Sequence, residues 1–401
     1  MRIVIVGNGL AGTMAAKLLR QADRSLDIDV FGAEAFPYYP RPNLIELLSG
    51  RMPEEKIFAF PPSWYEAEKI GLRLSSPVHR VIPESGRVQF ASGHLEAYDV
   101  LLLAEGASPV VPALPGIGRR GVFTLRTLDD ARAILECLQK TGPRAVVMGG
   151  GLLGLEIARA LKQRGADVTV LEFFPHLLPR QLDPSGAAVL QKQIEAAGIP
   201  VRTGAAAEEI LGDPDVRGLR LKSGEIVAAD LILIAAGVRP NTDVARSAGV
   251  EVDKGVLVDD CMRTSRPGIF AAGDAIQHNG RLFGFIPAAF EQARTAADSI
   301  LGRGRIYAGT VPSNTLKVMG VALTSVGQIQ PEKPHHEELR REVVDAGLYR
   351  KLVLDEGRLI GAIWMGDKRG VEAVVKAVLE RRDVSALKHD LLSDDFDFKK
   401  L

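Results

Sequence analysis

The segment Gly7-Asn8-Gly9-Leu10-Ala11-Gly12 stands between an apolar strand, Arg2 to Val6, and the start of a helix, Thr13 to Leu19. In a strand–turn–helix unit of this kind, the first glycine makes the tight turn and the second lets the backbone approach a pyrophosphate. The third glycine lets helix and strand pack closely, and free N–H groups at the helix start bind the pyrophosphate. The segment therefore predicts a dinucleotide-binding unit.

The same pattern occurs a second time at Gly149-Gly150-Gly151-Leu152-Leu153-Gly154. It follows the strand Arg144 to Met148 and precedes the helix Leu155 to Lys162. A single match of this kind is also typical of a Gly-rich loop that merely turns the chain. Two matches, each in full strand and helix context, favour two nucleotides bound by one polypeptide.

Each unit also has an acidic residue where its second strand ends. The strand Ile28 to Ala33 runs into Glu34, and the strand Val168 to Leu171 runs into Glu172. A carboxylate at this place accepts hydrogen bonds from ribose hydroxyls and repels the extra phosphate of NADPH. No arginine follows Glu172 directly, although Arg180 is close in sequence. We therefore expect the second site to prefer NADH over NADPH.

The composition is that of a globular protein with more than one core. A chain of 401 residues predicts two or three domains, and its hydrophobic content of 46% with 25% charged residues is ordinary. Lys plus Arg and Asp plus Glu are 50 each, so the net charge is zero. This balance indicates no basic surface for nucleic acid or for a membrane.

The first residues superficially resemble a signal peptide, because one arginine precedes an apolar run. The glycine pattern explains the same residues as a first strand and helix. Apolar runs such as Val100 to Leu103 and Leu231 to Ala236 are strand-sized, well short of the roughly 20 residues that span a bilayer. We expect no membrane span and a cytoplasmic protein.

The two cysteines, Cys137 and Cys261, are far apart and form no CxxC or metal-ligand spacing. This excludes a metal centre built on cysteine and, in a reducing compartment, disfavours a disulfide. We expect no metal site.

The two halves of the chain share one plan. A strand, a Gly-containing turn and a second strand follow each glycine unit, at residues 78–90 and again at 216–227. An apolar strand then runs into a small-residue corner, Glu105-Gly106-Ala107-Ser108-Pro109 in the first half and Gly237-Val238-Arg239-Pro240 in the second. Such corners are ordinary strand-end turns, but their recurrence at matching places indicates a duplicated nucleotide-binding fold.

A strand ending at Gly273-Asp274 precedes the helical run Pro287 to Ile300. Gly-Asp alone is typical of a turn, yet a carboxylate there could accept hydrogen bonds from sugar-alcohol hydroxyls. From about Pro312 the pattern changes to antiparallel strands, which begin with Thr315 to Val318, and a helix. This predicts a small α+β domain, and the charged tail 394–400 is interpreted as a frayed end or a docking segment, with fraying as the default expectation.

With these residues, the chain resembles the flavoprotein reductases that carry two dinucleotide domains and are related to the pyridine nucleotide–disulfide oxidoreductases. Within that group it is similar to NADH:rubredoxin reductases and to the flavin module of assimilatory nitrite reductases. The segment Pro37-Tyr38-Tyr39-Pro40-Arg41-Pro42-Asn43-Leu44 is similar to a flavin-proximal segment of those proteins.

The resemblance implies an α/β fold with two Rossmann-like dinucleotide-binding domains, as in glutathione reductase, and a small α+β carboxy-terminal domain. It implies an FAD domain at 1–110 and 240–311, an NAD domain at 111–239 and a last domain at 312–401. The residues that it places around FAD are Gly7, Gly9, Leu10, Ala11, Gly12, Glu34, Arg41, Pro42, Ala104, Gly106, Gly273 and Asp274. Those that it places around NADH are Gly149, Gly151, Leu153, Gly154, Glu156, Glu172 and Gly237.

Two departures from the family pattern are visible. Disulfide reductases carry a redox-active cysteine after the first unit, and residues 44–49 contain none. Related ferredoxin reductases often place a lysine beside the flavin in a pattern like RPPLSK, where this chain has Glu46. A carboxylate there would lower the flavin potential, so Glu46→Lys should raise it. A solvated carboxylate on a helix face fits the same position equally well.

The resemblance implies hydride transfer from NADH to FAD and then electron transfer to a separate acceptor, a small iron protein of rubredoxin or ferredoxin type. No protein acid or base is needed for the hydride step, so no catalytic residue is assigned, and Arg41, Glu46 and Glu156 are candidates for tuning the flavin. Alternatives are an NADH oxidase that uses oxygen or quinone, and an NADH-responsive sensor that resembles apoptosis-inducing factor. We expect a monomer or homodimer.

Overall fold

The computed structural model of the chain describes residues 1–140, 144–311, 313–318 and 320–401. The expected domain boundary at residue 312 lies outside the described residues.

The first region, up to residue 110, contains a parallel sheet, an antiparallel meander and three helices. Its strands are β1 (Arg2–Val6), β2 (Asp27–Phe31), β3 (Ile70–Arg73), β4 (Val78–Ile82), β5 (Arg87–Phe90), β6 (Leu95–Ala97), β7 (Val100–Leu103) and β8 (Ala107–Pro109), and its helices are α1 (Leu10–Ala22), α2 (Asn43–Ser49) and α3 (Pro62–Ala67). Strands β4, β5 and β6 form the meander.

The second region repeats this plan. Its strands are β9 (Val122–Thr124), β10 (Arg144–Met148), β11 (Asp167–Leu171), β12 (Val201–Arg202), β13 (Ala207–Gly212), β14 (Val216–Leu221), β15 (Ile226–Ala228), β16 (Leu231–Ile234) and β17 (Val238–Pro240), and its helices are α4 (Leu128–Lys140), α5 (Leu152–Gln163) and α6 (Pro184–Ala196). A parallel sheet in the order β12-β11-β10-β16-β9 is accompanied by the meander β13-β14-β15.

The third region returns to the first sheet. Its strands are β18 (Val256–Val258), β19 (Ile269–Ala271), β20 (Ile276–His278) and β21 (Arg281–Leu282), and its helices are α7 (Asp243–Ser247) and α8 (Ile286–Ile300). Strand β19 pairs with β7, so the first sheet has the order β19-β7-β1-β2-β3, with every pair parallel. Helix α8 packs against α1.

The position of β1 within this sheet locates a binding crevice. The chain moves outward from β1 to β2 and β3, then returns to place β7 on the other side of β1. Ligands of open parallel sheets bind outside the carboxyl ends of the strands at such a reversal. Ile3 and Ile5 of β1 are fully buried, as expected for a strand covered on both faces. The buried strand β1 therefore forms a rigid base for the crevice.

The last region is an antiparallel sheet covered by one helix. Its strands are β22 (Ser313–Val318), β23 (Val321–Gly327), β24 (His336–Val343), β25 (Leu348–Asp355) and β26 (Arg358–Met365), and its helix is α9 (Val371–Leu379). The sheet order is β22-β23-β26-β25-β24. The sequence analysis did not predict β24, because this edge strand is rich in charged residues and lacks the alternation of a half-buried strand.

A buried ion pair joins the last region to the second. Asp183 caps α6, accepting a hydrogen bond from the Gly186 amide at 2.9 Å. Its other carboxylate oxygen lies 2.9 Å from Nζ of Lys351, which is 1% exposed, and accepts a hydrogen bond from the Tyr349 hydroxyl. Burial raises the pKa of Asp183, but these two hydrogen bonds outweigh it and hold the pKa below its usual value. Removing either partner would leave a buried charge without its counter-charge, so the pairing between these two regions is specific.

The carboxy-terminal tail is packed, and the expectation of a frayed end is wrong. Phe396 and Leu401 are buried in the core of the last region. The Phe398 ring lies edge-on to Trp364, with ring centroids 5.6 Å apart. The tail therefore belongs to the folded domain.

The predicted α/β fold class, with two Rossmann-like sheets and an α+β last region, is confirmed. Within the parts of the chain that the structure describes, no helix has both the length and the apolar character needed to cross a bilayer.

Candidate active site

A cavity of about 1050 Å³ opens at the carboxyl ends of β1 and β7. Its walls bring together most of the residues that the sequence placed around FAD and two that it placed around NADH. The predicted residues that line it are Gly7, Gly9, Leu10, Ala11, Glu34, Arg41, Pro42, Ala104, Gly106, Leu153, Glu156, Gly273 and Asp274. The volume is at the upper end of ordinary small-molecule sites.

The first glycine unit meets the geometric requirements of a dinucleotide loop. Gly7 has φ of +113°, a conformation that side chains strain, and a Cβ atom there would collide with the carbonyl oxygen of Ala104. A Cβ atom on Gly12 would collide with the carbonyl oxygen of Gly7. At Gly9, by contrast, the space that a Cβ would take has no described atom within 4 Å. The backbone at Gly9 is therefore open to a ligand.

The second unit repeats this geometry at the carboxyl ends of β10 and β16. Gly149 has φ of +125° and abuts Ala235, while Gly154 packs against the Gly149 carbonyl. The described chain leaves open space beside Gly151 and Gly237. These residues do not line the cavity described above, and we call the open space beside Gly151 and Gly237 the second crevice.

Glu172 follows β11 directly, whereas β2 ends at Phe31, before the predicted Ala33, and Glu34 lies three residues beyond that end. The two carboxylates also have different partners. Glu34 is held by side chains, since Nη2 of Arg41 lies 2.6 Å from one carboxylate oxygen and the Tyr39 hydroxyl donates to the other. Glu172 is 5% exposed and accepts two backbone hydrogen bonds, from the Gly150 amide at 2.5 Å and the Phe174 amide at 2.7 Å. Its carboxylate is thus fixed at the edge of the second crevice.

Tyr39 connects the two halves of the site. Its hydroxyl accepts hydrogen bonds from Arg41 and, at 2.9 Å, from the amide of Leu128 at the start of α4. Burial raises the pKa of Tyr39 well above its usual value, so the phenol stays protonated. The Arg41 guanidinium also lies over the Tyr39 ring, 4.8 Å from its centroid. These contacts fix Arg41 in the cavity wall.

Arg126 is a lining residue that the sequence analysis missed. It lies between β9 and α4, with Nη2 at 3.8 Å from the Asp274 carboxylate. Burial, and then the neighbouring Arg41, lower the pKa of Arg126, while burial raises that of Asp274. Its only sequence signal is a basic residue between a strand end and a helix start, which is too common to identify a site.

Glu105 is a second lining residue that was not predicted as part of the site. It lies two residues after the end of β7, and its Oε2 atom is buried without a hydrogen-bond partner among the described residues. Burial, with a smaller contribution from the Asp243 carboxylate, raises the pKa of Glu105 to about 8.

Glu46 does not face the cavity, which corrects the expectation that it tunes the flavin. Its carboxylate forms a two-point ion pair with Arg51, at 2.6 Å to Nε and 2.8 Å to Nη2, and its side chain is 37% exposed. The hydrogen bond from Arg51 lowers the pKa of Glu46. Helix α2 buries Leu44 and Ile45, which line the cavity, so Glu46 faces outward.

The start of α5 brings the second unit to the cavity of the first. Leu152, Leu153 and Glu156 lie in the first turns of this helix, directly after Gly151, and all three line the same cavity as Gly7 and Asp274. Oε2 of Glu156 lies 4.0 Å from Nη1 of Arg159. Ligands held by the two glycine units would therefore meet at this wall.

The last region contains one group of possible metal ligands, within the described part of the chain: His335, His336 and Asp355. Nδ1 of His336 accepts a hydrogen bond from the Glu332 amide at 3.2 Å, so its proton lies on Nε2, the atom that faces Asp355. Arg381 already lies 2.9 Å from the other carboxylate oxygen of Asp355. Nε2 of His335 lies 3.0 Å from Asp355 and Nε2 of His336 lies 3.7 Å from it, so the three side chains form a compact cluster around this carboxylate.

Comparison with known proteins identifies the chain. Residues 1–298 match the family model described as pyridine nucleotide-disulphide oxidoreductase, and residues 312–382 match the rubredoxin NAD+ reductase C-terminal domain. The chain belongs to the pyridine nucleotide-disulphide oxidoreductase family. The predicted resemblance to rubredoxin and nitrite reductases is thus confirmed.

Members of this family with different names share the fold. The chain is 35% identical over 388 residues to a nitrite reductase [NAD(P)H] of Bacillus subtilis, covering 96% of this chain and 48% of that protein. It is 32% identical over 344 residues to an NADH oxidase of Methanocaldococcus jannaschii, covering 82% of this chain and 75% of that protein. The crystal structure of NADH:rubredoxin oxidoreductase from Clostridium acetobutylicum superposes with a TM-score of 0.82 at 28% identity, covering 98% and 97% of the two chains.

The chain spans about half the length of the nitrite and nitrate reductase proteins that it matches. FAD and NADH are the cofactors of this pyridine nucleotide-disulphide oxidoreductase, as predicted. The cavity fits FAD chemically, since it offers an open glycine backbone, partly buried arginines for phosphate and carboxyl groups for hydroxyls. Neither Cys137 nor Cys261 lines it, so the cysteine pair of disulfide reductases has no counterpart here.

Proposed function

We propose that the chain is an FAD-dependent NADH oxidoreductase that delivers electrons to a separate acceptor, a small iron redox protein of rubredoxin or ferredoxin type. The observation that carries this proposal is the single cavity lined by both glycine units. Gly7 and Asp274 belong to one wall, and Leu153 and Glu156, from the second unit, belong to the other.

The FAD lies in this cavity in our proposal, held by the residues that the sequence assigned to it, with Arg126 in addition. The fingerprint of α1 binds the pyrophosphate, Glu34 and Asp274 accept hydrogen bonds from hydroxyl groups, and Arg41 and Arg126 supply positive charge. Residues 1–110 and 240–311 form the FAD domain, and residues 111–239 form the NAD domain.

The NADH lies along the second crevice, with its adenosine end at Glu172 and its nicotinamide directed towards Leu153. The fixed carboxylate of Glu172 accepts hydrogen bonds from ribose hydroxyls and repels an added phosphate, which supports a preference for NADH over NADPH.

When bound, FAD accepts a hydride from NADH and can return the two electrons singly or together. The chain contributes the positions of the two nucleotides. Leu152 and Leu153 give the cavity an apolar wall, and the start of α5 would position the nicotinamide. No side chain needs to gain or lose a proton for this step, and no cysteine is placed to relay electrons.

The nature of the acceptor is supported by the last region. Residues 312–382 match a domain named for rubredoxin reductase, and the solved structure of an NADH:rubredoxin oxidoreductase superposes over nearly the whole chain. Because NADH is an intracellular metabolite, we place the reaction in the cytoplasm. The similarity to an NADH oxidase favours oxygen as the second candidate acceptor.

Rapid-mixing kinetics test this proposal. The FAD-loaded protein, reduced anaerobically with one equivalent of NADH, is mixed with oxidised rubredoxin, ferredoxin, a quinone or oxygen. We expect an iron protein to reoxidise the flavin fastest. Fastest reoxidation by oxygen or quinone would instead show an NADH oxidase. A long-lived reduced complex with NADH-dependent oligomerisation would show a sensor. Chemical reduction of a Gly154→Ala variant provides the control, because it bypasses the NADH step and leaves the acceptor step intact.

A further inference from the structure

We infer that Glu105 is held as a neutral carboxylic acid and donates a hydrogen bond to the ADP half of FAD, so that the protein retains FAD in its protonated form and releases it as Glu105 ionises. The inference rests on the placement of FAD in the cavity. It adds a positioning residue for the cofactor and a pH-dependent control of its retention.

The position of Glu105 in the fold points to the ADP half. Strands β1 and β7 flank the reversal in the first sheet, with Val6 directly opposite Leu103, and Glu105 follows two residues later. The Glu105 amide nitrogen lies 3.1 Å from where a Cβ of Gly7 would stand. Glu105 thus borders the first glycine of the fingerprint, the end of the loop that receives the adenosine and pyrophosphate.

The backbone of Glu105 is fixed, but its side chain is not satisfied. Nδ2 of Asn241 donates to the Glu105 carbonyl at 2.9 Å. The carboxyl oxygen Oε2 is buried and has no hydrogen-bond partner within the described chain. A buried polar atom without a partner is costly, so a partner is expected to arrive with the ligand that fills the cavity.

Burial and the Asp243 carboxylate favour the neutral form of this carboxyl. The charged or titratable side chains that line the cavity on the neighbouring elements are His79 on β4, Asp243 at the start of α7, Arg126 before α4 and, across β1, Glu34. Burial is the main cause of the raised pKa of Glu105, about 8, and the Asp243 carboxylate raises it further. The ADP half is rich in hydrogen-bond acceptors and carries negative charge. A neutral carboxyl can donate to it, whereas a carboxylate would repel it.

The sign of the pH dependence follows from this arrangement. Below about pH 8 Glu105 is protonated in the protein with and without FAD, so affinity is constant. Above that value the free protein loses the proton, and binding must restore it. Affinity then falls about tenfold for each further pH unit, until the pKa of the complex is reached.

Equilibrium titration of the FAD-free protein with FAD, followed by flavin fluorescence between about pH 6 and pH 10, tests the inference. We expect the FAD affinity of the wild type to be constant at low pH and to begin to fall near pH 8, a change of slope that we call the break. Glu105→Gln keeps a donor but cannot ionise, so it should bind within about threefold of the wild type at low pH and show no break. Asp243→Asn removes the repelling charge and should move the break to lower pH. Glu46→Gln, the same carboxyl-to-amide change outside the cavity, is the matched control and should keep the wild-type break.

Competition with ADP tests whether Glu105 contacts the ADP half of FAD. ADP lacks the flavin ring, so its binding should show the same break if Glu105 contacts the ADP half. A flat wild-type profile, a break that persists in Glu105→Gln, or an ADP affinity without a break would each overturn the inference. Failure of the wild type to bind FAD at all would instead refute the placement of FAD in this cavity. Thermal melts confirm that each variant is folded.

Discussion

The two glycine units are nearly identical as loops and differ in what surrounds them. In both, the third glycine packs against the carbonyl of the first, so any side chain would collide there. The first unit opens into a cavity walled by charged groups from several parts of the chain, among them Arg41, Arg126 and Asp274. Beside the second, Phe173 and Phe174 are 67% and 51% exposed. In our proposal the first loop holds FAD between these walls, and the second binds NADH in more open surroundings.

Substitutions of the equivalent third glycines should have the largest effects and should distinguish the two sites. Gly12→Ala and Gly154→Ala introduce the same collision, so each should weaken its own nucleotide by about 100-fold. The consequences should differ: Gly12→Ala loses its FAD on purification, whereas Gly154→Ala stays yellow and is reduced slowly by NADH. Flavin content and the anaerobic reduction rate measure the two effects. Loss of FAD from Gly154→Ala would show that the two units are not separate sites.

Removing a wall residue of the first site should have the next largest effect. Arg126→Ala removes a buried charge, and FAD affinity should fall by about 10 to 100-fold, as for a hydrogen bond to a charged group. Arg126→Lys should recover part of this loss. The KM for NADH should be unchanged in protein saturated with FAD. Unchanged FAD affinity in Arg126→Ala would mean that this guanidinium does not contact the cofactor.

Glu172→Ala tests the second site in the same way. It removes an acceptor for the ribose and leaves the amides of Gly150 and Phe174 without their partner. The KM for NADH should rise about tenfold, with little change in kcat, and the selectivity against NADPH should shrink. FAD content should stay that of the wild type. Equal use of NADH and NADPH by the wild type, or unchanged selectivity in the variant, would contradict this assignment.

Glu46→Lys should have the smallest effect. Because Arg51 holds the carboxylate outside the cavity, the flavin midpoint potential should shift by less than about 10 mV, where about 30 mV corresponds to 1.4 kcal/mol. The loss of this partly exposed ion pair should cost at most about 1 kcal/mol of stability. Glu156→Gln, whose residue lines the cavity, should shift the potential further. Spectroelectrochemical titration compares them, and a rise of tens of millivolts for Glu46→Lys would restore the sequence-based expectation.

The sequence was informative where chemistry depends on local backbone. The tight turns at Gly7 and Gly149 and the strand end before Glu172 could be located because local backbone conformation determines them, whereas β2 ends three residues before Glu34. The fold class followed from the same units. The repeated order of strands and turns in the two halves could be predicted from the sequence for the same reason.

Residues whose role depends on packing between distant segments could not be placed. Arg126 and Glu105 reach the cavity only because the second region folds back onto the first and β7 lies beside β1. The sequence left Glu46 open between a flavin-facing and a solvated position, because its partner Arg51 determines its direction and a motif register carries no such information. The packing of the carboxy-terminal tail could not be predicted for the same reason, because it depends on the contact between Phe398 and the distant Trp364.

Anaerobic mixing of FAD-loaded protein with NADH tests the central claim most directly, namely that one chain holds both nucleotides at once and transfers a hydride between them. The flavin absorbance should bleach at a rate that saturates with NADH concentration, with FAD still bound afterwards, and far more slowly in Gly154→Ala. Absence of bleaching, a rate that never saturates, or release of FAD when NADH binds would contradict the claim.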